Sequence, residues 1–172
     1  MRKFFTFFAS CLVAAGSLQA QTETDAYAVA KAGDPVSAFT VQMTDGTTVN
    51  TTDLKGKVVL INFWATWCPY CVVELKRVPE DVMKRFEGTD FVFLAIAREE
   101  GLDKVLPFRE ANGYTFPMGI DPDRSIYDQF AVQSIPRNYV VDRDGKIILA
   151  EVGYTVEKFN EMLDLIDREL KK

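Results

Sequence analysis

Apolar and polar residues of this 172-residue chain follow the periods of β-strands in several places. Residues 39–43 and 48–50 alternate around the turn residues 44–47, and this pattern predicts a β-hairpin. Residues 58–63 and 91–97 are instead continuously apolar, which is typical of strands that are covered on both faces.

Two more patterns lie towards the C-terminus. Residues 138–141 and 147–149 flank the turn sequence Asp-Arg-Asp-Gly, which predicts a second hairpin. Residues 156–170 are amphipathic with helical spacing and predict a final helix.

Helical spacing also separates the predicted strands. Apolar residues recur every three or four positions over 72–86, Gly88 ends this run, and Pro79 should bend the predicted helix. A second helix is predicted over 102–112, and a short one ends at Phe130.

The order of these elements predicts an α/β fold. A hairpin comes first, followed by a β-α-β unit, a helical insert and a β-β-α unit. Such an order forms a central β-sheet of mixed strand direction that is flanked by helices.

The first 20 residues have the features of a secretory signal peptide. Arg2 and Lys3 form a positive end, residues 4–15 are apolar, and small residues follow. The apolar run is too short to span a membrane. We therefore expect cleavage after residue 20, a flexible leader over 21–32, one domain over 33–172, and a periplasmic protein.

A second interpretation makes Cys11 the lipid-modified first residue of a membrane-anchored lipoprotein. The preceding Phe8-Ala9-Ser10 resembles a lipobox only loosely, and cleavage there would leave an apolar stretch at the new terminus. We therefore favour the soluble exported form.

The charge of the chain limits its partners. Its 20 basic and 25 acidic residues give a net charge of −5, which becomes −7 when Arg2 and Lys3 leave with the signal. An acidic domain without basic clusters is not expected to bind nucleic acid or an anionic membrane. Since the chain has no histidine, acid–base chemistry falls to a carboxylate or to thiols.

Beyond the signal, cysteine occurs only at Cys68 and Cys71, between a buried-strand pattern and a helical pattern. This is the arrangement of a thioredoxin-like redox site. A zinc site needs two more ligands, and the chain has no histidine and no further exported cysteine. Two cysteines spaced for a local loop are not a disulfide framework either. We therefore predict a redox-active disulfide without a metal or a cofactor.

The sequence around this pair resembles the thioredoxin superfamily, specifically its exported TlpA/ResA-like branch. The most specific match is Asn-Phe-Trp-Ala-Thr-Trp-Cys-Pro-Tyr-Cys at 62–71, followed by Glu74. Further matches are Gly-Asp-Pro at 33–35, residues 54–60, Ile135-Pro136 and residues 141–146. The resemblance covers about residues 33–170. It implies a thioredoxin-like fold with an N-terminal β-hairpin and a helical insert over 98–118.

The resemblance also assigns roles to matching residues. Cys68 corresponds to the exposed attacking thiol and Cys71 to the buried resolving thiol. The N-terminus of a helix favours an anion, which supports a thiolate at Cys68. Pro136 corresponds to a cis-proline that faces the disulfide, leaving the backbone of Ile135 free to pair with a substrate strand. The predicted substrate-binding residues are Trp67, Pro69, Tyr70, Ile135 and Pro136.

Glu74 lies one helical turn after Cys71. In the branch that the sequence resembles, a carboxylate at this place lies near the cysteines and relays protons. An acid beside an apolar strand has a raised pKa, which suits proton transfer with a thiol near neutral pH. The alternative is a solvated helix residue. Asn62 stands where plain thioredoxins have a buried aspartate, which makes Glu74 the better candidate.

Two positions depart from the family pattern. Lys76 stands where the family usually has a helix proline, which comes later here, at Pro79. Arg137 follows the predicted cis-proline, where threonine is common, and this difference leaves the choice of partner open.

Two other functions compete. A peroxiredoxin has a threonine three residues before its reactive cysteine and a proline seven before it, where this chain has Ala65 and Ile61. Copper carriers of similar fold resemble one another in a Cys-x-x-x-Cys site that a distant histidine completes. This chain has neither that cysteine spacing nor a histidine. We therefore predict an exported thiol:disulfide oxidoreductase that reduces disulfides of exported partner proteins. Its thiols would be restored by an upstream electron donor, a membrane thiol reductase.

Overall fold

The computed structural model describes residues 25–172. The strands are β1 (Thr40–Met43), β2 (Thr48–Asn50), β3 (Val58–Trp64), β4 (Phe91–Arg98), β5 (Met118–Asp121), β6 (Arg137–Val141) and β7 (Ile147–Val152). They form one sheet in the spatial order β2-β1-β5-β4-β3-β6-β7. Because β3 is parallel to β4 and antiparallel to β6, the predicted mixed sheet is confirmed.

Helices connect and cover these strands. The α-helices are α1 (Pro69–Leu75), α2 (Leu102–Ala111) and α3 (Val156–Leu170). A π-helix spans Val78–Lys84, and 3-10 helices span Thr51–Leu54 and Tyr127–Gln129. Across residues 25–172, no helix combines the length and the apolar character that crossing a membrane requires.

β3 lies in the interior of the sheet, and all seven of its residues are buried. Successive side chains of a strand point to opposite faces. Leu60 and Trp64 accordingly pack into one buried cluster, whereas Ile61 and Phe63 pack into another. A strand that is covered on both faces has a continuous apolar sequence, which is why the pattern located β3. Its C-terminal end leads directly to the cysteines.

The α-helices pack on one face of the sheet. Leu75 of α1, Val105 of α2 and Ile166 of α3 belong to the same buried cluster, and each is fully buried. Burial of such an aliphatic side chain contributes roughly 1.5–3 kcal/mol to folding. Tyr127 of the second 3-10 helix packs on the opposite face, where its ring contacts that of Phe63 with centroids 5.2 Å apart.

β5 was not predicted from the sequence. It has four residues, follows Pro117 and contains Gly119, so its intrinsic strand propensity is low. It forms because it pairs in parallel with β4 and antiparallel with β1. These pairings join the confirmed N-terminal hairpin to the rest of the sheet.

The helix predicted over 72–86 is divided into two. α1 ends at Leu75, and the π-helix that follows has Pro79 in its first turn. Proline has no N–H to donate to the carbonyl four residues back, so it interrupts α-helical hydrogen bonding. The predicted bend is therefore a break. The short helix before Phe130 is a single 3-10 turn, Tyr127–Gln129.

Residues 25–32, which we expected to be a flexible leader, make specific contacts with the domain. Ala28 forms an isolated antiparallel bridge with Ala131. Asp25 forms an ion pair with Arg137. This part of the predicted leader therefore packs against the domain in the structure.

The predicted signal peptide over residues 1–20, Cys11 and the start of the leader lie outside the described residues. Cleavage after residue 20, the lipid-anchored alternative and the periplasmic location therefore stay predictions.

Candidate functional site

Cys68 and Cys71 form a disulfide where β3 has ended and α1 begins. Their sulfur atoms are 2.09 Å apart and their Cα atoms 5.3 Å apart. Cys68 is the N-cap of α1, and the backbone N–H of Cys71 donates a hydrogen bond to Cys68 Sγ at 3.2 Å. Pro69 lies in the first turn, where its missing N–H costs no helical hydrogen bond. The local sequence therefore places both sulfurs at one helix start.

Exposure does not distinguish the two cysteines in this oxidised form. Cys68 is 4% exposed and Cys71 is 1% exposed, so the exposed position expected for Cys68 is not observed. Their places on the helix do differ. Cys68 lies at the N-terminus, where backbone N–H groups without helical partners stabilise negative charge. Cys71 lies inside the helix. A thiolate is therefore better stabilised at Cys68.

The Ile135–Pro136 peptide bond is cis, as the resemblance implied. Pro136 is buried and Ile135 is half-buried. The carbonyl oxygen of Ile135 lies 3.9 Å from Cys68 Sγ. β6 begins directly after this bond and pairs with β3 so that Arg137 lies opposite Phe63. The strand pairing therefore brings the proline to the cysteines across the sheet.

The other predicted substrate-binding residues are at the surface. Trp67 is 62% exposed and Tyr70 is 66% exposed, and Pro69 between them in sequence is exposed as well. Exposed aromatic side chains are enriched in surfaces that bind other proteins. The neighbours of Cys68 in the chain are therefore available to a partner.

Glu74 is buried, with 2% of its surface exposed, so the solvated alternative is wrong. Its Oε1 accepts hydrogen bonds from Asn138 Nδ2 at 2.6 Å and from Asn62 Nδ2 at 3.4 Å. Asn62 Nδ2 also donates to Asn138 Oδ1 at 2.9 Å. The two asparagines are directly paired between β3 and β6. Three buried polar side chains thus form one connected group on the helix side of the sheet.

This burial changes the acidity of Glu74. Desolvation raises the pKa of its carboxyl from 4.5 to about 7, and the hydrogen bond from Asn138 offsets only part of that rise. Its Oε2 has no hydrogen-bond partner among the described residues. The carboxyl can therefore exchange a proton near neutral pH, one helical turn from Cys71.

Asn138 and Glu100 are residues of the site that the sequence analysis missed. An asparagine within a buried strand requires a polar partner, which is a signal that could have singled out Asn138. Glu100 is 2% exposed and accepts hydrogen bonds from Thr66 N at 2.7 Å and Thr66 Oγ1 at 2.6 Å. These bonds hold the segment that leads into Trp67 and Cys68. Nothing in the sequence links Glu100 to Thr66.

Metal binding has no support in the described part of the chain. Among residues 25–172, no three His, Cys, Asp or Glu side chains are grouped so that they could hold a metal ion. The groups that the site does present are two sulfurs and one carboxyl group with a raised pKa.

Comparison with known proteins finds relatives over most of the chain. Residues 32–150 match the AhpC/TSA family. The thiol-disulfide oxidoreductase ResA of Bacillus subtilis (strain 168) is 29% identical over 135 residues, which cover 78% of this chain and 75% of the relative. The ResA protein of Geobacillus thermodenitrificans (strain NG80-2) is 31% identical over 126 residues, which cover 73% and 70%.

Solved structures share the fold. A candidate protein disulfide isomerase from Bacteroides thetaiotaomicron has a TM-score of 0.81 and 35% identity, with 85% of this chain and 94% of that chain covered. A thioredoxin-family thiol:disulfide interchange protein from Chlorobium tepidum TLS has a TM-score of 0.68 and 25% identity, with 80% and 97% covered. Together with the Cys68–Cys71 disulfide, these findings show that the chain belongs to the AhpC/TSA family and is a thiol:disulfide oxidoreductase of thioredoxin-like fold.

Proposed function

We propose that this oxidoreductase is exported and reduces disulfides in other exported proteins. The observation that carries the proposal is the position of the Cys68–Cys71 disulfide at a helix start, opposite the carbonyl of Ile135. The apolar N-terminal run with its positive end and small-residue exit supports export to the periplasm.

Reduction begins at Cys68. Its thiolate attacks one sulfur of the partner disulfide, that disulfide breaks, and a mixed disulfide forms between Cys68 and the partner. The released partner sulfur leaves as a thiolate and takes up a proton. The backbone of Ile135 lies close enough to Cys68 to pair with the polypeptide that carries the attacked disulfide.

Cys71 then resolves the mixed disulfide. Its thiolate attacks Cys68 Sγ, the Cys68–Cys71 disulfide forms, and the second partner sulfur leaves as a thiolate. Two electrons pass to the partner in this cycle, and no bound cofactor is needed. Glu74 supports this step because a carboxyl with a pKa of about 7 can accept the proton that Cys71 loses.

The oxidised enzyme must then receive two electrons from a dithiol donor. In an oxidising compartment we assign this role to a membrane thiol reductase, since glutathione is not maintained as a reductant there. The exposed Trp67 and Tyr70 offer an apolar contact to protein partners. The acidic charge of the chain argues against nucleic acid as a partner.

A trapping experiment tests the proposal. In the native host, a Cys71→Ser variant should accumulate mixed disulfides with exported proteins, because the resolving thiol is missing while Cys68 still attacks. The adducts can be isolated under non-reducing conditions and identified by mass spectrometry. Cys68→Ser is the matched control and should accumulate none.

Three results would contradict the proposal. Adducts on Cys68→Ser instead of Cys71→Ser would reverse the roles of the cysteines. Adducts formed only with cytoplasmic proteins would exclude an exported reductant. Rapid peroxide consumption by the reduced protein, with no reduction of protein disulfides, would favour a thiol peroxidase.

A further inference from the structure

A buried cation lies directly after the cis-proline. Arg137 is 2% exposed, and its guanidinium turns back towards the preceding loop, residues 131–136, which we call the proline loop. Nε donates to the carbonyls of Gln133 and Ser134, both at 3.0 Å, and Nη2 donates to the carbonyl of Gln133 at 2.9 Å. One planar side chain thus fixes two successive carbonyls just before Ile135.

Asp25 balances this buried charge. Its Oδ2 accepts a hydrogen bond from Nη1 of Arg137. Within residues 25–172, Asp25 is the one residue that forms an ion pair with Arg137. An ion that is taken out of water requires such a partner. The hydrogen bond from Arg137 lowers the pKa of Asp25, so this carboxyl is ionised at neutral pH.

The segment that carries Asp25 is attached to the proline loop and to Phe130 directly before it. The backbone N–H of Val132 donates to the carbonyl of Tyr27 at 2.9 Å, and the N–H of Val29 donates to the carbonyl of Phe130 at 2.9 Å. Asp25 Oδ1 accepts from the N–H of Tyr27 at 3.0 Å, which fixes the carboxylate on its own segment. Asp25 is therefore held in place on the side facing Arg137.

The proline loop has a conformation that needs such support. Ser134 has a φ of 77°, in the left-handed region that favours glycine. Its carbonyl receives a second hydrogen bond, from the hydroxyl of Tyr127 at 2.8 Å. The hydrogen bonds from Arg137 and Tyr127 therefore fix the residue that precedes Ile135.

We propose that Asp25, acting through Arg137, positions the backbone of Ile135 for substrate binding. Asp25 is thus a positioning residue, and it lies before residue 32, where the match to the family begins. The arrangement also explains why an arginine follows the cis-proline, where threonine is common in the family. The buried guanidinium of Arg137 supports the proline loop from inside. The inference rests on the proposed pairing of Ile135 with a substrate strand.

Asp25→Asn tests the inference with two substrates. One is a linear peptide dimer joined by a single disulfide, which has a backbone to pair with Ile135. The other is 2-hydroxyethyl disulfide, which has none. Reduction of each by the pre-reduced protein is followed by tryptophan fluorescence over a range of substrate concentrations.

We expect Asp25→Asn to lower the second-order rate constant for the peptide about tenfold, mainly through a higher half-saturation concentration. The rate constant for 2-hydroxyethyl disulfide should change less than about twofold. Asp25→Glu should restore most of the peptide rate because it keeps the charge. Asp45→Asn, which removes an equal charge in the turn between β1 and β2, is the matched control and should change neither rate.

Arg137→Lys gives a second test because lysine keeps the charge but loses the planar fork of donors. It should show the same selective loss with the peptide. Equal losses with both substrates, or none with either, would overturn the inference. Failure of the proposed function would look different, because the unchanged protein would then reduce neither substrate.

Discussion

At the scale of single residues, Glu74 is the group whose surroundings alter its chemistry most clearly. Its pKa is raised to about 7 by desolvation, whereas an unfolded chain leaves it near 4.5. The folded protein therefore holds the proton more tightly than the unfolded chain does. The contribution of protonated Glu74 to the free energy of unfolding is therefore fully present below about pH 4.5, and it is lost as the pH rises through about 7.

Substitution of Glu74 by glutamine should remove this pH dependence. Relative to Glu74→Gln, the wild-type protein should lose on the order of 3 kcal/mol in its free energy of unfolding between pH 4.5 and pH 8. Urea unfolding of both oxidised proteins at several pH values measures the difference. The oxidised form is used so that the thiols do not titrate.

Glu80→Gln is the matched control because Glu80 is 73% exposed and, within the described residues 25–172, forms an ion pair only with the similarly exposed Lys84. It should show no such trend. Parallel stability profiles for the wild type and Glu74→Gln would contradict the raised pKa.

In the reduced protein, Glu74→Gln should also change the pH profile of thiol alkylation. An unchanged profile would exclude Glu74 from proton transfer.

At the scale of elements, β5 is the connection on which the sheet depends. Its Gly119 pairs with Met43 of β1 and with Ile96 of β4. A Cβ atom at residue 119 would come within 2.6 Å of Val41 Cγ2, and Val41 is fully buried. The absence of a side chain at residue 119 therefore leaves room for Val41 beside the pairing of β1 with β5.

Gly119→Ala should lower the free energy of unfolding by about 1–3 kcal/mol, because the added methyl group overpacks a core that cannot yield easily. Urea unfolding measures this loss. In a Val41→Ala background the opposing methyl group is gone, so the same substitution should cost less. Equal costs in both backgrounds would mean that Val41 is not the obstacle.

At the scale of the whole molecule, the charges near the cysteine pair and the composition of the chain predict the direction of electron transfer. The helix start favours a thiolate at Cys68, but Pro69 and Tyr70 between the cysteines carry no charge and the chain has no histidine. Ionised Glu74 one turn away would oppose a second negative charge. We expect these two effects to cancel in part, so that the reduced form is not strongly stabilised and the disulfide is comparatively stable.

We therefore expect a reduction potential below about −180 mV, the range of protein disulfide isomerase. Equilibration with glutathione redox buffers, followed by counting of free thiols, measures it. Glu74→Gln should shift the potential to a more oxidising value at pH 8, since the opposing charge is removed. A wild-type potential above about −180 mV would identify an oxidant instead of a reductant.

Much of the redox site followed from local sequence. Cys68 and Cys71 lie between β3 and α1, and all three features depend on residues that are close together in sequence. The resemblance to a known family added the cis bond before Pro136, which the structure confirms. It also singled out Glu74, whose burial is now seen although its catalytic role stays a prediction.

The sequence by itself thus determined six of the seven described strands, the main helices apart from the break near Pro79, and the chemistry of the cysteine pair, because these depend on near neighbours. Tertiary structure decided the rest. Asn62 meets Asn138 across 76 positions, and Arg137 meets Asp25 across 112. Burial, the acidity of Glu74 and the support of the proline loop depend on segments that become neighbours only when the sheet assembles, and no local pattern records those contacts.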